Sequence, residues 1–141
     1  MMEIPANLIE ITVHRGTIIH SYGFIGIDHG KFFVVIGIRA DCLVGFFFIN
    51  SAINRIIFGK QRLLDMQYPM KQVDYPFLRY DSFLCATNIM TIEKSVLASE
   101  IADGTASIVG EMRPAHISEL LSAARASDLF TDYEKTTFLS E

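Results

Sequence analysis

Two apolar runs dominate the pattern along the chain, "KFFVVIGI" at 31–38 and "LVGFFFINS" at 43–51, with Arg39-Ala40-Asp41-Cys42 between them. Both are rich in β-branched and aromatic residues, and the four-residue break suits a β-hairpin. Their apolarity is continuous rather than alternating, which predicts burial on both faces, as in a small closed barrel. Gly45 within the second run predicts a bulge or sharp bend. The second run ends abruptly on Asn50-Ser51, side chains that can satisfy backbone groups a ladder no longer pairs. In an antiparallel hairpin the start of one strand lies beside the end of the next, so Lys31 and Asn50-Ser51 should be neighbours.

Around this hairpin the pattern is weaker. A first strand is expected near 16–21, followed by a loop punctuated by Gly23, Gly26 and Gly30. Residues 52–80 have no clean period and contain Pro69 and Pro76, so they read as a long excursion with one helical turn around 61–66. "DSFLCATNIMTI" resumes strand character, and Thr91 can cap a short helix running to about Ala102 and stopping at Gly104. "TASIVGEM" predicts a brief strand, and Pro114 suits the first position of a helix. Ile117, Leu120, Leu121 and Ala124 recur at helical spacing and give that helix one docking face. The expectation is one α+β domain, mainly β, over 1–141, with the sheet core at about 12–110, a C-terminal helix at about 114–126 and a tail at 127–141.

Composition narrows the classes. Half of the 141 residues are hydrophobic, enough for one sizeable core. No segment reaches the roughly 18 to 20 apolar residues that span a bilayer, because Arg39 and Asp41 split the most apolar region. "MMEIPANLIE" lacks the basic lead and apolar centre of a signal peptide, so a cytoplasmic protein with no membrane partner is expected. Cys42 and Cys85 sit in apolar runs and read as reduced core thiols. The net charge of -4 disfavours general nucleic-acid binding, but the acidity is C-terminal: residues 1–92 hold eight Lys+Arg against seven Asp+Glu, and residues 93–141 four against nine. Within 53–73, Arg55, Lys60, Arg62 and Lys71 face only Asp65, a surface that either meets phosphate or is simply solvated.

The order of strand, glycine-bearing loop, thick hairpin, long excursion, strand, "IVGEM" and amphipathic helix resembles the MazF/PemK-like family of toxin endoribonucleases. "RGTIIHSYGFI" is similar to the family's first strand, "KFFVVIGI" to its valine-rich second, and "FINS" to its Pro-Ile-Thr-Ser strand end. "DSFLCATNIMTIEKSVL" and "ASIVGEMRPAHISELL" are similar to its later strands and last helix. Over about residues 12–126 the resemblance implies a small, partly open SH3-like barrel of about five to seven strands with C-terminal helices, metal-independent cleavage of single-stranded RNA, no cofactor, homodimerisation and an antitoxin as protein partner. Lys31-Phe32 stands where the family has Arg-Pro, and Phe48-Ile49-Asn50 where it has Pro-Ile-Thr.

Metal-free RNA cleavage needs the 2′-hydroxyl in line with phosphorus, a proton acceptor, a donor to the leaving oxygen, and positive charge on the phosphate. By the resemblance Lys31 and Ser51 or Asn50 are the catalytic positions; Arg15, Arg55, Lys60 and Arg62 are the RNA-binding candidates by their charge. Lys31 offers a point charge where Arg offers a planar fork, which Arg15 or Arg55 would have to supply. His20 and His29 flank the glycine-bearing loop and read either as an acid–base pair or as exposed loop residues; His116 is expected to face solvent. Tyr68, Tyr75, Phe77 and Tyr80 interleave with Lys71 and Arg79, a pattern that serves base stacking, loop packing or a protein interface. No His, Cys, Asp and Glu spacing predicts a metal site. A non-catalytic interaction module of phage or mobile-element origin, holding a protein through the long loop and acidic C-terminal part, is the alternative. If the hairpin is a functional platform, Lys31 and Ser51 should lie within about 8 Å on one open face. Residues 22–30 should border that face, with one of Arg15, Arg55, Lys60 and Arg62 pointing into it.

Overall fold

The computed structural model describes residues 13–24 and 29–140. The expectations made for residues 1–12 and for Gly26 lie outside the described residues. Seven strands form one antiparallel sheet: β1 (Thr17–Ser21), β2 (Lys31–Ile38), β3 (Leu43–Asn50), β4 (Gln67–Met70), β5 (Ser82–Cys85), β6 (Met90–Glu93) and β7 (Ala106–Glu111). The helices are α1 (Gln61–Leu64), α2 (Lys94–Asp103), α3 (Pro114–Ala126) and the short α4 (Asp132–Glu134), which continues into a π-turn over Lys135–Leu139.

The hairpin is the spine of the sheet. β2 and β3 pair from Phe32↔Ile49 to Ile38↔Val44, and the register slips between Val35 and Gly37. The extra residue is therefore Ile36 on β2, across the ladder from Gly45. On one face Val34, Ile36, Phe47 and Ile49 join Tyr75, Leu78, Leu84, Leu120, Leu121 and Phe138. On the other face Phe33, Val35, Val44 and Phe46 join Ile19, Leu97 and Ala106.

This corrects the reading of continuous apolarity as closure. Both faces are buried because each carries its own cover: α2 and Phe24 on one, and the 71–81 loop, α3 and the C-terminal turn on the other. The strand order is β4-β5-β3-β2-β1-β7, with β6 beside β5 on the free edge of β3, and among the described residues no pairing joins β4 to β7. The gap between the two sheet edges is spanned by side chains. Tyr68 on β4 donates to Glu119 of α3 at 3.1 Å, and the Tyr75 hydroxyl accepts the Arg113 N–H at 3.0 Å. Phe77 packs against Gly110 of β7, where an added Cβ would stand 3.2 Å from its ring.

The tail, described over 127–140, is a structural element rather than an appendage. Phe138 and Leu139 are buried, and the Phe138 ring fills the space that a Cβ on Gly45 would occupy. Its carbonyl lies against Gly37, where a Cβ would come within 2.3 Å of the oxygen. Arg15 donates to the carbonyls of Ile36, Phe138 and Ser140, and Arg125 to that of Leu139. α2 begins at Lys94 with Glu93 as its N-cap, so Thr91 lies in β6 and caps nothing. Pairing with β3 decides this, since Thr91 stands opposite Gly45 in the ladder.

Candidate functional site

An open cleft of about 650 Å³ lies at the end of the sheet where β2 starts and β3 stops. β1 and the residues after it contribute His20 and Tyr22, the far side of the glycine-bearing loop His29 and Gly30, and the hairpin Lys31, Phe32, Ile49 and Ser51. Phe77, Leu78, Arg79, Tyr80 and Ser82 form the opposite wall. Among the described residues, two cations and two histidines line the cleft and no carboxylate does, in a chain whose net charge is -4. Such a cleft favours an anionic occupant.

Its floor is an aromatic row. The His20 ring lies 4.5 Å from Phe32 and 4.8 Å from Tyr22, and Phe32 lies 5.5 Å from Phe77. His20 and Phe32 are cross-strand partners, which places both on the cleft face. Gly30 has a φ of +76° and backs onto the imidazole; a Cβ there would meet its Cε1 at 2.6 Å, so only glycine allows the backbone to pass this close to His20. Burial lowers the His20 pKa, opposed by a hydrogen bond with the His29 backbone. A neutral imidazole has one donor and one acceptor nitrogen, so a neutral His20 can take up a proton.

Lys31 sits at the rim. The register places it opposite Ser21 on β1, and in β3 it reaches Asn50, whose side-chain oxygen accepts a hydrogen bond from its ammonium. The ammonium also stands 5.2 Å from the Phe48 ring centroid, a cation–π distance. Burial lowers the Lys31 pKa, with Cys85 acting in the opposite direction. Because side chains alternate along a strand, Lys31 and Asn50 leave the sheet on the face opposite His20 and Phe32. Lys31 and Ser51 both border the cleft, but Ser51 does so from the side of Ile49 and Phe32 and Lys31 from the other face, so the two do not leave the sheet on one face as expected. Asn50 does not line the cleft and serves to hold Lys31.

The remaining sequence candidates lie elsewhere. Arg15 is bound to the C-terminal segment. Arg62 pairs with Asp128 at 2.9 Å, and Arg55 and Lys60 are exposed outside the cleft. The cation that does enter is Arg79, which in sequence belongs with the aromatic loop and shares no local pattern with the hairpin. That loop divides its aromatic residues: Tyr75 is buried and Tyr68 and Phe77 pack, while Tyr80 stays exposed on the cleft wall. Tyr22, next to the glycine-bearing loop, is a cleft residue that the pattern gave no reason to select.

Two further expectations change. His116 is half-buried and its Nδ1 lies at hydrogen-bond distance, 2.7 Å, from the Tyr75 hydroxyl, which also accepts the Arg113 N–H. Cys42 is exposed at the hairpin turn with φ +69°, because the four-residue connection needs a left-handed residue there. Cys85 is half-buried between Gln67 and Thr87.

Among the described residues, no helix is long and apolar enough to cross a membrane, and no group of three His, Cys, Asp or Glu could hold a metal ion. Compared with known proteins, the chain matches no family model and no curated sequence.

Proposed function

We propose that the cleft binds single-stranded RNA and cleaves it at the 2′-hydroxyl without a metal ion, the activity that the MazF/PemK resemblance implies. The observation that carries this reading is the gathering of His20, His29, Lys31, Arg79 and Ser51 around one cleft. His20, biased towards its neutral form by burial, accepts the 2′-hydroxyl proton. Arg79 presents a planar fork to the non-bridging phosphate oxygens, and Lys31 adds a point charge from the rim. Ser51 donates to the same phosphate. His29, protonated, returns a proton to the leaving 5′-oxygen. The 2′-oxygen–phosphorus bond forms as the phosphorus–5′-oxygen bond breaks, leaving a 2′,3′-cyclic phosphate and a 5′-hydroxyl. The finer fold reading, an SH3-like barrel of the MazF/PemK type, belongs to this proposal, as do a homodimer, an antitoxin partner and a cytoplasmic site of action. The test is incubation of the purified protein with single-stranded RNA in excess EDTA. Cleavage with cyclic-phosphate ends should fall by about 100-fold or more in His20→Gln and by a similar factor in Arg79→Gln. Intact RNA, or unchanged turnover in His20→Gln, overturns the reading.

The non-catalytic interaction module is supported by a different observation. Ile56 and Phe58, at the 3₁₀ turn that follows the hairpin, are 73% and 58% exposed, large apolar side chains of the kind a protein partner covers. Intact RNA together with no growth arrest on expression selects this reading.

A further inference from the structure

We propose that Tyr22 and Tyr80 are the base-holding residues of the cleft, so that its ligand is a strand with unpaired bases and not merely a phosphate chain; this rests on the RNA reading above. Most aromatic side chains around the sheet are buried or half-buried: Phe33, Phe46, Phe47 and Tyr75 are enclosed, and Phe32 and Phe77 pack against the core. Tyr22 and Tyr80 line the same cleft yet remain 59% and 63% exposed. Neither hydroxyl makes a hydrogen bond to a described residue, and neither ring belongs to a core cluster. The Tyr22 ring meets His20 edge-on but leaves most of its surface open, as does Tyr80.

Their positions fit a nucleotide strand. Tyr22 extends the aromatic row of His20, Phe32 and Phe77 to the glycine-loop side of the cleft. Tyr80 stands on the opposite wall directly after Arg79 in sequence, so a cation and a stacking face are offered by adjacent residues. Bases stack on tyrosine whatever their identity, while cations track the intervening phosphates, and together these make a single-strand site. Paired bases in a duplex have no free faces to offer. A cleft of about 650 Å³ has room for an object of nucleotide size.

The test uses a fluorescein-labelled 2′-O-methyl hexanucleotide, which cannot be cut at the 2′ position, and measures anisotropy with the full chain. The comparison probes are an abasic strand with the same phosphodiester backbone and a blunt duplex of the same sequence. The hexanucleotide should bind at least about tenfold more tightly than either, with each tyrosine replaced by alanine costing roughly tenfold. Tyr22→Phe and Tyr80→Phe should restore what alanine removes, because the ring does the stacking. The abasic strand should be indifferent to Tyr22→Ala and Tyr80→Ala. Equal binding of the abasic strand and the hexanucleotide overturns the base-holding role and leaves the phosphate-binding cleft standing. No binding of any of the three probes overturns both. Since both side chains are largely exposed, their replacement should leave the thermal midpoint unchanged, which separates lost binding from lost folding.

Discussion

Lys31 donates a hydrogen bond to Asn50 across the β2–β3 ladder, and the same ammonium faces the Phe48 ring. The pair fixes a half-buried charge at the mouth of the cleft. Asn50→Asp would set a carboxylate opposite the ammonium and raise the Lys31 pKa, whereas Asn50→Leu would lower it further and cost about 1–2 kcal/mol through the lost bond. Lysine side-chain NMR titration reads the first effect and urea denaturation the second. A Lys31 titration that Asn50→Asp leaves unmoved would show that the bond is not made in solution. The sign for stability follows from the lowered pKa. Between the folded value and 10.5 the unfolded chain holds more protons, so this residue's contribution rises with pH through that window.

His20 gives the chain a pH dependence at mildly acidic pH. Its folded pKa is depressed below 6.5 by burial, so the unfolded state binds more protons between the folded value and 6.5. Its contribution is complete above pH 6.5 and is lost as the pH falls towards the folded pKa. Denaturation midpoints at several pH values between 4.5 and 7.5 should therefore fall less steeply with acidification in His20→Gln than in the natural chain. Parallel curves for the two proteins would sink this account. If His20 is the proton acceptor, RNA cleavage should persist below pH 6.5 and fade only as the depressed pKa is passed.

Phe138 and the two glycines it covers should behave as one unit. Phe138→Ala should cost about 3–5 kcal/mol as a buried aromatic side chain is lost. Gly45→Ala drives a methyl group to 2.6 Å from the Phe138 ring and should cost about 1–3 kcal/mol in the natural chain, but far less in the Phe138→Ala background, where the ring is gone. Gly37→Ala meets the Phe138 main-chain carbonyl and should remain costly in both backgrounds. Urea denaturation of the double-mutant cycle checks all three. Additive costs for Gly45→Ala and Phe138→Ala would mean that the C-terminal segment does not pack on the sheet as described.

What was legible in the sequence is what neighbouring residues decide among themselves. β2 and β3 occur within a residue of their expected bounds because two dense apolar runs around a short polar break have few other ways to be buried. α3 begins at Pro114 and buries Leu120, Leu121 and Ala124 for the same kind of reason. β4 was hidden because Pro69 argues against a strand, yet β4 lies at the edge of the sheet, where a missing N–H costs no ladder bond. β5 and β6 read as one strand because both lie along the same edge of β3, and only the pairing divides them.

The sequence by itself determined the mainly β character, the hairpin, the helix at Pro114 and the proximity of Lys31 to Asn50, since each follows from local periodicity or from the geometry of one antiparallel pair. Tertiary structure decided the rest. It left the sheet open with a separate cover on each face, turned Arg15 onto the tail and brought Arg79 into the cleft. It also tied His116 to Tyr75 and folded Phe138 onto Gly45. The physical reason is distance along the chain. Arg79 and Lys31 line one cleft only because β5 pairs with β3 and β3 with β2, and a juxtaposition of that kind depends on which strands share an edge, a choice no short window of residues contains.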